Sequence, residues 1–400
     1  MNKQLEQLLV DNPEVYKALN IIALEKQEFK TMSYYTRMIN KYMDSSVNGM
    51  EVFKQFVEAE IFERKIMYEC EEENYRAEVL EKNCENCKQK VLEHEYEDMF
   101  MPIYHVDLSK HNENLLSDYF DADSQIVMND LQKNIGKTIP FVGSGISKTA
   151  GLPLWLEMFK IARNSIPKDF LPYFDMEFES KDVDRIIESI KKVHPLISDD
   201  KDLKKEIIIP QVKSKVTNDA LLNSVMPEIL SLGSEYIITT NYDNLLEKTS
   251  RILELDYEES RSIDSFQGFE SLEDSNYIFH IHGVIDKFDS MVVTNKDYEN
   301  LYDSEEKKRI LAGLINQHSM LFLGFSMNDA YFSNEFGKIC DSNRGYCTNY
   351  YVMINGDRQK KDELLKTSNV RFINIKAEDF EIKKQYKFMC DYISGNIFIK

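Results

Sequence analysis

The chain has 400 residues, 42% of them hydrophobic and 30% charged, with a formal net charge of −20 at pH 7. These fractions exclude a disordered or fibrous protein, and the length predicts about two to three domains at ~150 residues each. An acidic chain without a run of Lys and Arg is not expected to bind nucleic acid directly, because phosphate contacts require clustered positive charge.

No stretch of the sequence approaches the roughly 20 apolar residues of a membrane span, and the opening MNKQLEQLLVDNPE has no apolar leader. The sequence therefore predicts a cytoplasmic protein that does not contact a membrane. Six cysteines are too few for a disulfide framework in a chain of this length. They favour reduced thiols, with one metal site as an option.

Residues 1–125 are predicted to form an all-α domain, since apolar side chains recur at helical spacing and no strand-like alternation is evident. A broken apolar stripe runs from Val52 to Met67. Stripes of this kind pack in a core or against another subunit. We find no catalytic constellation in this region.

A CxxC pair, Cys84 and Cys87, lies within this region. Tetrahedral zinc takes thiolate and imidazole ligands at such close spacing. Other side chains able to bind zinc lie nearby in the sequence: Cys70, His94, His105 and His111. A full zinc signature has a second such pair, which is missing here. Two interpretations stay open, a zinc site or two thiols on one turn of an exposed helix.

From residue 126 onward, strand-like and helix-like segments alternate, which predicts an α/β fold, a Rossmann-like parallel sheet with helices on both faces. The predicted strands are 139–142, 236–240, 277–282, 291–294, 320–325, 350–354 and 370–375. The predicted helices include 123–134, 183–193, 219–232, 305–317 and 379–393. Residues 155–230 are mostly helical and are expected to form an inserted layer over the sheet. The predicted domains are 1–125 and 126–400.

Glycines and short polar residues follow four of these strands, at the edge where open parallel sheets bind ligands. They are Gly143-Ser144-Gly145, Thr239-Thr240-Asn241-Tyr242-Asp243, His282-Gly283 and Gly324-Phe325-Ser326. Each has an ordinary structural interpretation when taken alone; Asn241, for example, is a suitable helix cap. His280 and His282 alternate on one predicted strand, so both are expected to face the same side. The succession of all four stretches indicates a ligand site.

In this order, the four stretches resemble the sirtuin (silent information regulator) superfamily, and more closely its sirtuin-like branch in prokaryotic anti-phage defence proteins. The family's signatures correspond to Gly143, Ser144, Gly145, Ile146, Ser147, Gly151, Pro153 and Trp155, to Asn241 and Asp243, to His282 and Gly283, and to Gly324 and Ser326. Asp297, Tyr298 and Asp329 also look typical of the branch. The resemblance covers residues 130–390.

Two departures separate this chain from the deacylating sirtuins. Those enzymes carry a four-cysteine zinc module between the His-Gly turn and the Gly-x-Ser strand, whereas Gly283 to Leu323 contains no cysteine. They also carry Asp-Phe-Arg after the proline of the glycine loop, where this chain has Leu154-Trp155-Leu156. Both differences fit the branch that hydrolyses NAD+.

The resemblance implies an NAD+ glycohydrolase that releases nicotinamide and linear or cyclic ADP-ribose and acts as an abortive-infection effector by depleting NAD+. NAD+ is then the substrate, and no metal is expected in catalysis. Such an enzyme must be held inactive in a healthy cell, which implies a homo-oligomer or an activating defence partner or phage protein. The N-terminal domain would serve regulation or assembly.

Site residues follow from the same resemblance. Asn241 is expected to position water or the ribose hydroxyls, Asp243 to stabilise positive charge or hold the carboxamide, and His282 to accept a proton. The cofactor-binding residues are Gly143, Ser144, Gly145, Ser147, Thr240, Gly324 and Ser326. Two other functions stay open, an NAD+-dependent deacylase and a non-catalytic sensor of NAD+ or ADP-ribose that signals through the helical domain.

Overall fold

In the part of the chain that the structure describes, two β-sheets organise the fold, one in each of two structural units. The computed structural model describes residues 9, 12–24, 29–43, 48–94, 101–213, 216–263, 276–325, 330–342, 348–356, 370–377, 382–397 and 399. The first unit is Met1–Tyr119 with Ser394–Lys400, and the second is Phe120–Ile393. The sequence-based division after residue 125 falls inside the helix Ala122–Asn134, and the structural division precedes that helix.

The first unit contains a four-stranded antiparallel sheet, so the all-α expectation for residues 1–125 is wrong. Its strands are β1 (Lys30–Thr31), β2 (Phe62–Cys70), β3 (Glu73–Ala77) and β4 (Met101–Val106), in the order β1-β4-β2-β3. Phe62 and Ile66 in β2 have helix-like spacing. The strand forms nonetheless, because it pairs with β4, a partner remote in sequence.

Helices accompany this sheet, as the sequence predicts for part of the region. They are Pro13–Leu24, Met32–Tyr42, Gly49–Glu58 and Ser109–Tyr119, with a 3₁₀ turn at Val91–Glu93. The Thr31 hydroxyl accepts a hydrogen bond from Tyr34 N–H and caps the second helix. Buried aromatic rings fill the core, with Tyr35 packed on Phe53 and Phe62.

The second unit is built on a seven-stranded parallel sheet, and the predicted Rossmann-like fold is confirmed. Its strands are β5 (Thr138–Val142), β6 (Tyr236–Thr239), β7 (Tyr257–Ser262), β8 (Asn276–His280), β9 (Ser319–Leu323), β10 (Asn349–Ile354) and β11 (Val370–Ile375). Their order is β11-β10-β9-β5-β6-β8-β7. The continuous apolar runs of β5 and β6 are fully buried, as a sheet covered on both faces requires.

The register of the central strands sets where the candidate site residues lie. Val142 of β5 pairs with Leu323 of β9 and with Thr239 of β6. Thr239 in turn pairs with His280 of β8. The four strands therefore end at a common level, and the loops that follow them begin side by side.

Helices cover both faces of this sheet. On one face, Glu305–Asn316 and Ala330–Ser342 pack Leu314 and Phe336 against sheet residues such as Phe322. The other face carries Ala122–Asn134 and Ile382–Ile393, joined by a 2.6 Å hydrogen bond from Gln132 Nε2 to Tyr392 O. The remaining helices near the sheet are Ser144–Thr149, Leu245–Ile252 and Asn295–Tyr302, with 3₁₀ turns at Ile135–Lys137 and Phe288–Ser290.

The predicted inserted layer between β5 and β6 is present as a series of short helices. They are Trp155–Phe159, Leu171–Glu179, Val183–Val193, Asp200–Leu203, Ile209–Val212, Asn218–Leu222 and Met226–Leu230, with 3₁₀ turns at Lys160–Asn164 and Lys168–Phe170 and a π-helical turn at Lys204–Ile208. The apolar side chains between Trp155 and Val212 form one cluster, which also includes Tyr242 and Met291. The layer thus packs against the segments that follow β6 and β8.

Three local expectations differ from the structure. The predicted helix 219–232 is two helices, Asn218–Leu222 and Met226–Leu230. Pro227 lies in the first turn of the second helix, where its missing N–H group is tolerated, and it would break one continuous helix. The predicted strand 291–294 is absent, since Val292 N–H bonds to His282 O and Thr294 N–H to the Asp297 carboxylate. Strand β7 was not predicted. Among the described residues, no helix has the length and apolar character needed to cross a membrane.

Candidate active site

Three glycines bring the loop after β5 into backbone contact with the loop after β9. A Cβ atom on Gly143 would lie 2.5 Å from Gly324 O, and one on Gly145 would lie 2.9 Å from Gly324 Cα. Gly324 has a φ of +60°, and a Cβ there would lie 2.6 Å from Ile146 N. No side chain fits at these positions, which explains the glycines of the predicted cofactor loop.

The main-chain amides of this loop are already partly engaged. Gly143 N–H donates to Leu323 O and Gly145 N–H donates to Gly324 O, each at 2.9 Å. The six-residue helix Ser144–Thr149 begins directly after Gly143, where the sequence indicates an open glycine turn. Two of the three amides from Gly143 to Gly145 therefore bond within the protein.

A buried chain of hydrogen bonds joins three of the predicted site residues. Asn241 Nδ2 donates to Ser147 Oγ at 2.9 Å, and the Ser147 hydroxyl donates to Asp243 Oδ2 at 2.8 Å. Asp243 Oδ1 also accepts the Leu245 N–H at 3.2 Å. Burial raises the pKa of Asp243, and the hydrogen bond from Ser147 partly offsets that rise. The carboxylate thus depends on neighbouring donors because water has little access to it.

A buried pair, His280 and Glu247, holds the backbone of Asn241. One ring nitrogen of His280, Nδ1, lies 2.7 Å from Asn241 O, and the other, Nε2, lies 2.8 Å from Glu247 Oε1. Burial alone would lower the pKa of His280, but the Glu247 charge and the two hydrogen bonds raise it overall. Since both ring nitrogens face acceptors, His280 and Glu247 form a buried ion pair. Asn241 N–H is also fixed, by Thr239 Oγ1 at 3.0 Å.

His282 lies in the turn after β8 and is almost fully buried, at 3% exposure. Its Nε2 lies 2.8 Å from the Tyr302 hydroxyl. Its ring packs edge-on against the Tyr298 ring, with 5.3 Å between the two ring centroids. The expectation that His280 and His282 share one face of a strand is wrong, because β8 ends at His280 and the two rings have different partners.

The glycine after His282 has a clear structural cause. Gly283 has a φ of +85°, and a Cβ atom there would lie 2.1 Å from Ser290 O. Any other residue would displace the segment that includes Ser290. Glycine is therefore required after His282, because the backbone at Ser290 lies directly against the turn that contains His282 and Gly283.

Other predicted residues have structural partners. Asp297 bonds to Lys204 Nζ at 2.8 Å and to Thr294 N–H at 2.9 Å, so it caps the helix Asn295–Tyr302. Burial would raise the pKa of Asp297, but the Lys204 ammonium and the capping N–H groups lower it overall. Thr240 is half-buried, and its N–H donates to Val142 O at 3.3 Å. Ser326 and Asp329 lie outside the described residues.

The arrangement around Asn241 has a defined polarity. Because the Ser147 hydroxyl donates to Asp243, the Asn241 atom that faces Ser147 is the amide nitrogen. The Asn241 amide oxygen has no donor among the described residues. The site can therefore accept a hydrogen bond from a bound hydroxyl or water at Asn241, with a carboxylate one hydroxyl away.

Sequence reasoning missed two groups of this site, Glu247 and Tyr302. Glu247 is 1% exposed and lies in the helix Leu245–Ile252. The available sequence signal was a charged residue directly after two apolar ones, Leu245 and Leu246, in the first turn of that helix. Ser147, which is predicted to bind the cofactor, lies between Asn241 and Asp243 in the structure.

The sheet and the polar residues at its carboxyl edge define a Rossmann-like α/β domain. Residues 235–373 of the chain match the family described as a SIR2-like domain. The match extends from the residue before β6 into β11, so it includes Asn241, Asp243 and His282 but not the glycine loop at 143–145. This stretch of the chain is similar to a SIR2-like domain, and the sirtuin-like resemblance seen in the sequence is confirmed.

Two curated relatives are similar to parts of the chain. Over 109 residues, 25% of this chain and 21% of the relative, it is 34% identical to the NAD(+) hydrolase ThsA of Enterococcus faecium. Over 213 residues, 48% of this chain and 18% of the relative, it is 24% identical to Defense-associated sirtuin 2 of Bacillus subtilis. The chain thus matches about a fifth of the length of each of these relatives.

Proposed function

We propose that this protein is an NAD+ glycohydrolase, which cleaves NAD+ with water to nicotinamide and ADP-ribose. The observation that carries the proposal is the buried chain from Asn241 through Ser147 to Asp243, whose two ends lie in the stretch that matches a SIR2-like domain. Similarity to a protein named as an NAD(+) hydrolase supports it. The missing cysteine module argues against a deacylase.

In the proposed reaction, nicotinamide leaves as a neutral group, so positive charge develops on the ribose. The Asp243 carboxylate stabilises this charge through space, because it lies in a site with little water. The amide oxygen of Asn241 accepts a hydrogen bond from a ribose hydroxyl or the attacking water. The His280–Glu247 pair holds the Asn241 backbone in place and is assigned a positioning role.

His282 is assigned as the general base, which takes a proton from water or a ribose hydroxyl. Its Nε2 lies 2.8 Å from the Tyr302 hydroxyl, which orients the ring. We assign the pyrophosphate and adenosine side of NAD+ to Ser144, Thr240 and Ser326. Gly143 and Gly145 are assigned to loop packing, since their amides bond within the protein.

We further propose a role in anti-phage defence, in which the activated enzyme depletes cytoplasmic NAD+. Similarity to a defence-associated sirtuin supports this role. An NADase of this kind requires restraint, so we propose that assembly into a homo-oligomer, or an activating defence or phage partner, controls turnover through the first unit.

The test is nicotinamide release from NAD+ by the purified full-length protein, followed by chromatography. Asn241→Ala and His282→Ala are expected to lower turnover by at least about 100-fold, because each removes a group that acts on the reacting atoms. His318→Ala is the matched control. His318 directly precedes β9, at the opposite end of the sheet, so its loss should leave turnover unchanged.

Three results would contradict these assignments. Substantial NAD+ loss in a folded Asn241→Ala or His282→Ala variant would exclude the catalytic roles. Lysine deacylation dependent on NAD+ would identify a deacylase. Tight NAD+ binding without turnover, also after candidate partners are added, would identify a sensor.

A further inference from the structure

The first unit contains a cluster of four potential metal ligands, which we call the Cys/His cluster: Cys70, Cys84, Cys87 and His94. Their ligand atoms, three sulfurs and one imidazole nitrogen, all lie within 4.8 Å of one another. Cys70 and Cys84 are buried, and all three thiols are free of disulfides. None of these residues belongs to the candidate active site in the second unit.

Local backbone structure brings these ligands together from three segments. Cys70 ends β2, and the hairpin to β3 turns through Glu71 and Glu72, both with positive φ. The pair Cys84 and Cys87 lies in a tight turn that is closed by a bridge between residues 83 and 90. His94 follows the 3₁₀ turn at 91–93. The alternative that the CxxC pair lies on one turn of an exposed helix is therefore wrong.

The turn at the CxxC pair is itself well defined. Cys84 N–H donates to Gln89 O at 2.6 Å, and Lys88 N–H donates to Cys84 O at 3.2 Å. Lys88 has a φ of +64°, which reverses the chain directly after Cys87. A closed turn of this kind holds both sulfurs on the same side, as shared coordination of one ion requires.

The distances suit tetrahedral zinc. With Zn–S bonds of about 2.3 Å and a Zn–N bond of about 2.05 Å, neighbouring ligand atoms are about 3.6 Å (S to N) and about 3.8 Å (S to S) apart. Cys87 Sγ and His94 Nε2 lie 3.4 Å apart. A zinc ion thus fits between the four atoms after small side-chain movements.

The hydrogen bonds of the His94 ring also favour a metal site. Its Nδ1 lies 3.1 Å from Lys90 O and 3.0 Å from Val91 O. Carbonyl oxygens only accept hydrogen bonds, so Nδ1 carries the proton. In the neutral ring, Nε2 then presents a lone pair to the sulfurs, which is the arrangement of a metal-bound histidine whose other nitrogen is held by the backbone. Asn86 Nδ2 also donates to Cys70 Sγ at 3.6 Å, so this sulfur is oriented as a hydrogen-bond acceptor.

The surrounding apolar cluster is small. Its buried members are Tyr68, Cys70, Ala77, Cys84 and Val91. Two of these five are themselves cysteines of the Cys/His cluster, so among the described residues few fully buried apolar side chains hold the segment together. Small segments of this kind are usually stabilised by disulfides or metal ions.

From this geometry we propose that the Cys/His cluster binds one zinc ion with a structural role. The three thiolates and one imidazole fill all four positions, which leaves no open position for a substrate. The site is independent of the proposed NAD+ hydrolysis and stabilises the β2–β3 hairpin with the segment up to residue 94.

The test is the zinc content of the full-length protein, purified under reducing conditions without chelator. Wild type is expected to contain about one zinc per chain, and Cys84→Ser and Cys87→Ser less than about 0.1. Cys390→Ala is the matched control, since Cys390 is a buried cysteine of the second unit, and it should keep the wild-type content. His94→Cys should also keep it, because it restores a fourth ligand.

Replacement by Co²⁺ in the wild-type chain provides a test that needs no variant to fold. Tetrahedral thiolate coordination is expected to give intense visible absorption, which zinc should abolish. Wild type without stoichiometric zinc and without the cobalt spectrum would overturn the proposal. So would stoichiometric iron in place of zinc, or a disulfide between two of the three cysteines.

Discussion

Buried polar side chains form a cluster in each of the two units, but the two clusters lie in different surroundings. Asn241, Ser147 and Asp243 lie at the edge of a sheet whose apolar core is extensive. The Cys/His cluster has only a small apolar cluster around it. In the second unit the core stabilises the fold, so polar groups are available for chemistry. In the first, the polar groups themselves must stabilise the hairpin.

Removing the metal from the Cys/His cluster should have the largest effect. Structural zinc supplies roughly 10–16 kcal/mol of apparent binding free energy in small zinc domains. Chelation should therefore expose residues 62–94 to rapid hydrogen exchange, while β5 and β6 keep their protection. Mass-spectrometric hydrogen exchange checks this. Unchanged protection of 62–94 in metal-free protein would mean that apolar packing suffices there.

Breaking the buried ion pair beneath Asn241 should have the next largest effect. Glu247→Ala leaves His280 without its charged partner, which should lower the free energy of unfolding by about 3–5 kcal/mol. Trp155, the chain's single tryptophan, lies in the second unit, so its fluorescence in urea follows the transition. The control Glu235→Ala removes an exposed partner of His318 and should change stability by at most about 1 kcal/mol. Equal losses of stability in the two variants would show that the buried pair contributes no more than the exposed one.

The first unit should lose stability in acid through His111. Burial lowers the pKa of His111 to about 4, and neither ring nitrogen has a hydrogen-bond partner among the described residues. Its stabilising contribution is complete above the unfolded pKa of about 6.5 and is lost as pH falls toward 4, by about 3 kcal/mol in total. Hydrogen exchange of 109–119, corrected for intrinsic rates, measures it. His111→Leu should remove this dependence, and a variant with the same acid sensitivity would contradict the assignment.

Substitution of Gly283, the glycine after His282, should give the smallest loss of stability, and Gly151 provides a closely matched control. Gly283→Ala adds a Cβ atom against Ser290 O at a φ of +85°, and we expect a loss of at least about 2 kcal/mol. Gly151→Ala has a φ of +102° and no atom within 4 Å of the added Cβ, so only the backbone cost of about 1 kcal/mol applies. Urea unfolding compares the two variants. A Gly283→Ala loss no larger than that of Gly151→Ala would show that the turn relaxes freely.

Sequence patterns were sufficient where one element carries its own signal. The helix Val183–Val193 was predicted to the residue, because Asp182 caps it and its apolar residues share one face. The buried strands β5 and β6 read as short apolar runs next to glycine or polar residues. Asn241 and His282 became candidates through the succession of four such stretches and its resemblance to the sirtuin superfamily.

Patterns failed where a partner remote in sequence decides the outcome. Strand β2 contains charged residues among its apolar ones, and pairing with β4 makes it a strand. Ser147 and Asp243 are 96 residues apart in the sequence, yet share a hydrogen bond. Cys70 and His94 join the CxxC pair only through the hairpin and the turn that follows it. None of these contacts produces a pattern of residues at a fixed spacing in the sequence, so none can be predicted from it.

The pairing of the helices Ala122–Asn134 and Ile382–Ile393 has a consequence for synthesis on the ribosome. Gln132 bonds to Tyr392 O, and the Tyr392 hydroxyl bonds to Asn129, across separations of 260 and 263 residues. The first helix of this unit emerges long before its partner is translated. Strand β5 likewise waits for β9, its neighbour in the sheet. A nascent chain therefore cannot complete this unit until residue 393 has left the exit tunnel, which delays the assembled site until translation of the unit is finished.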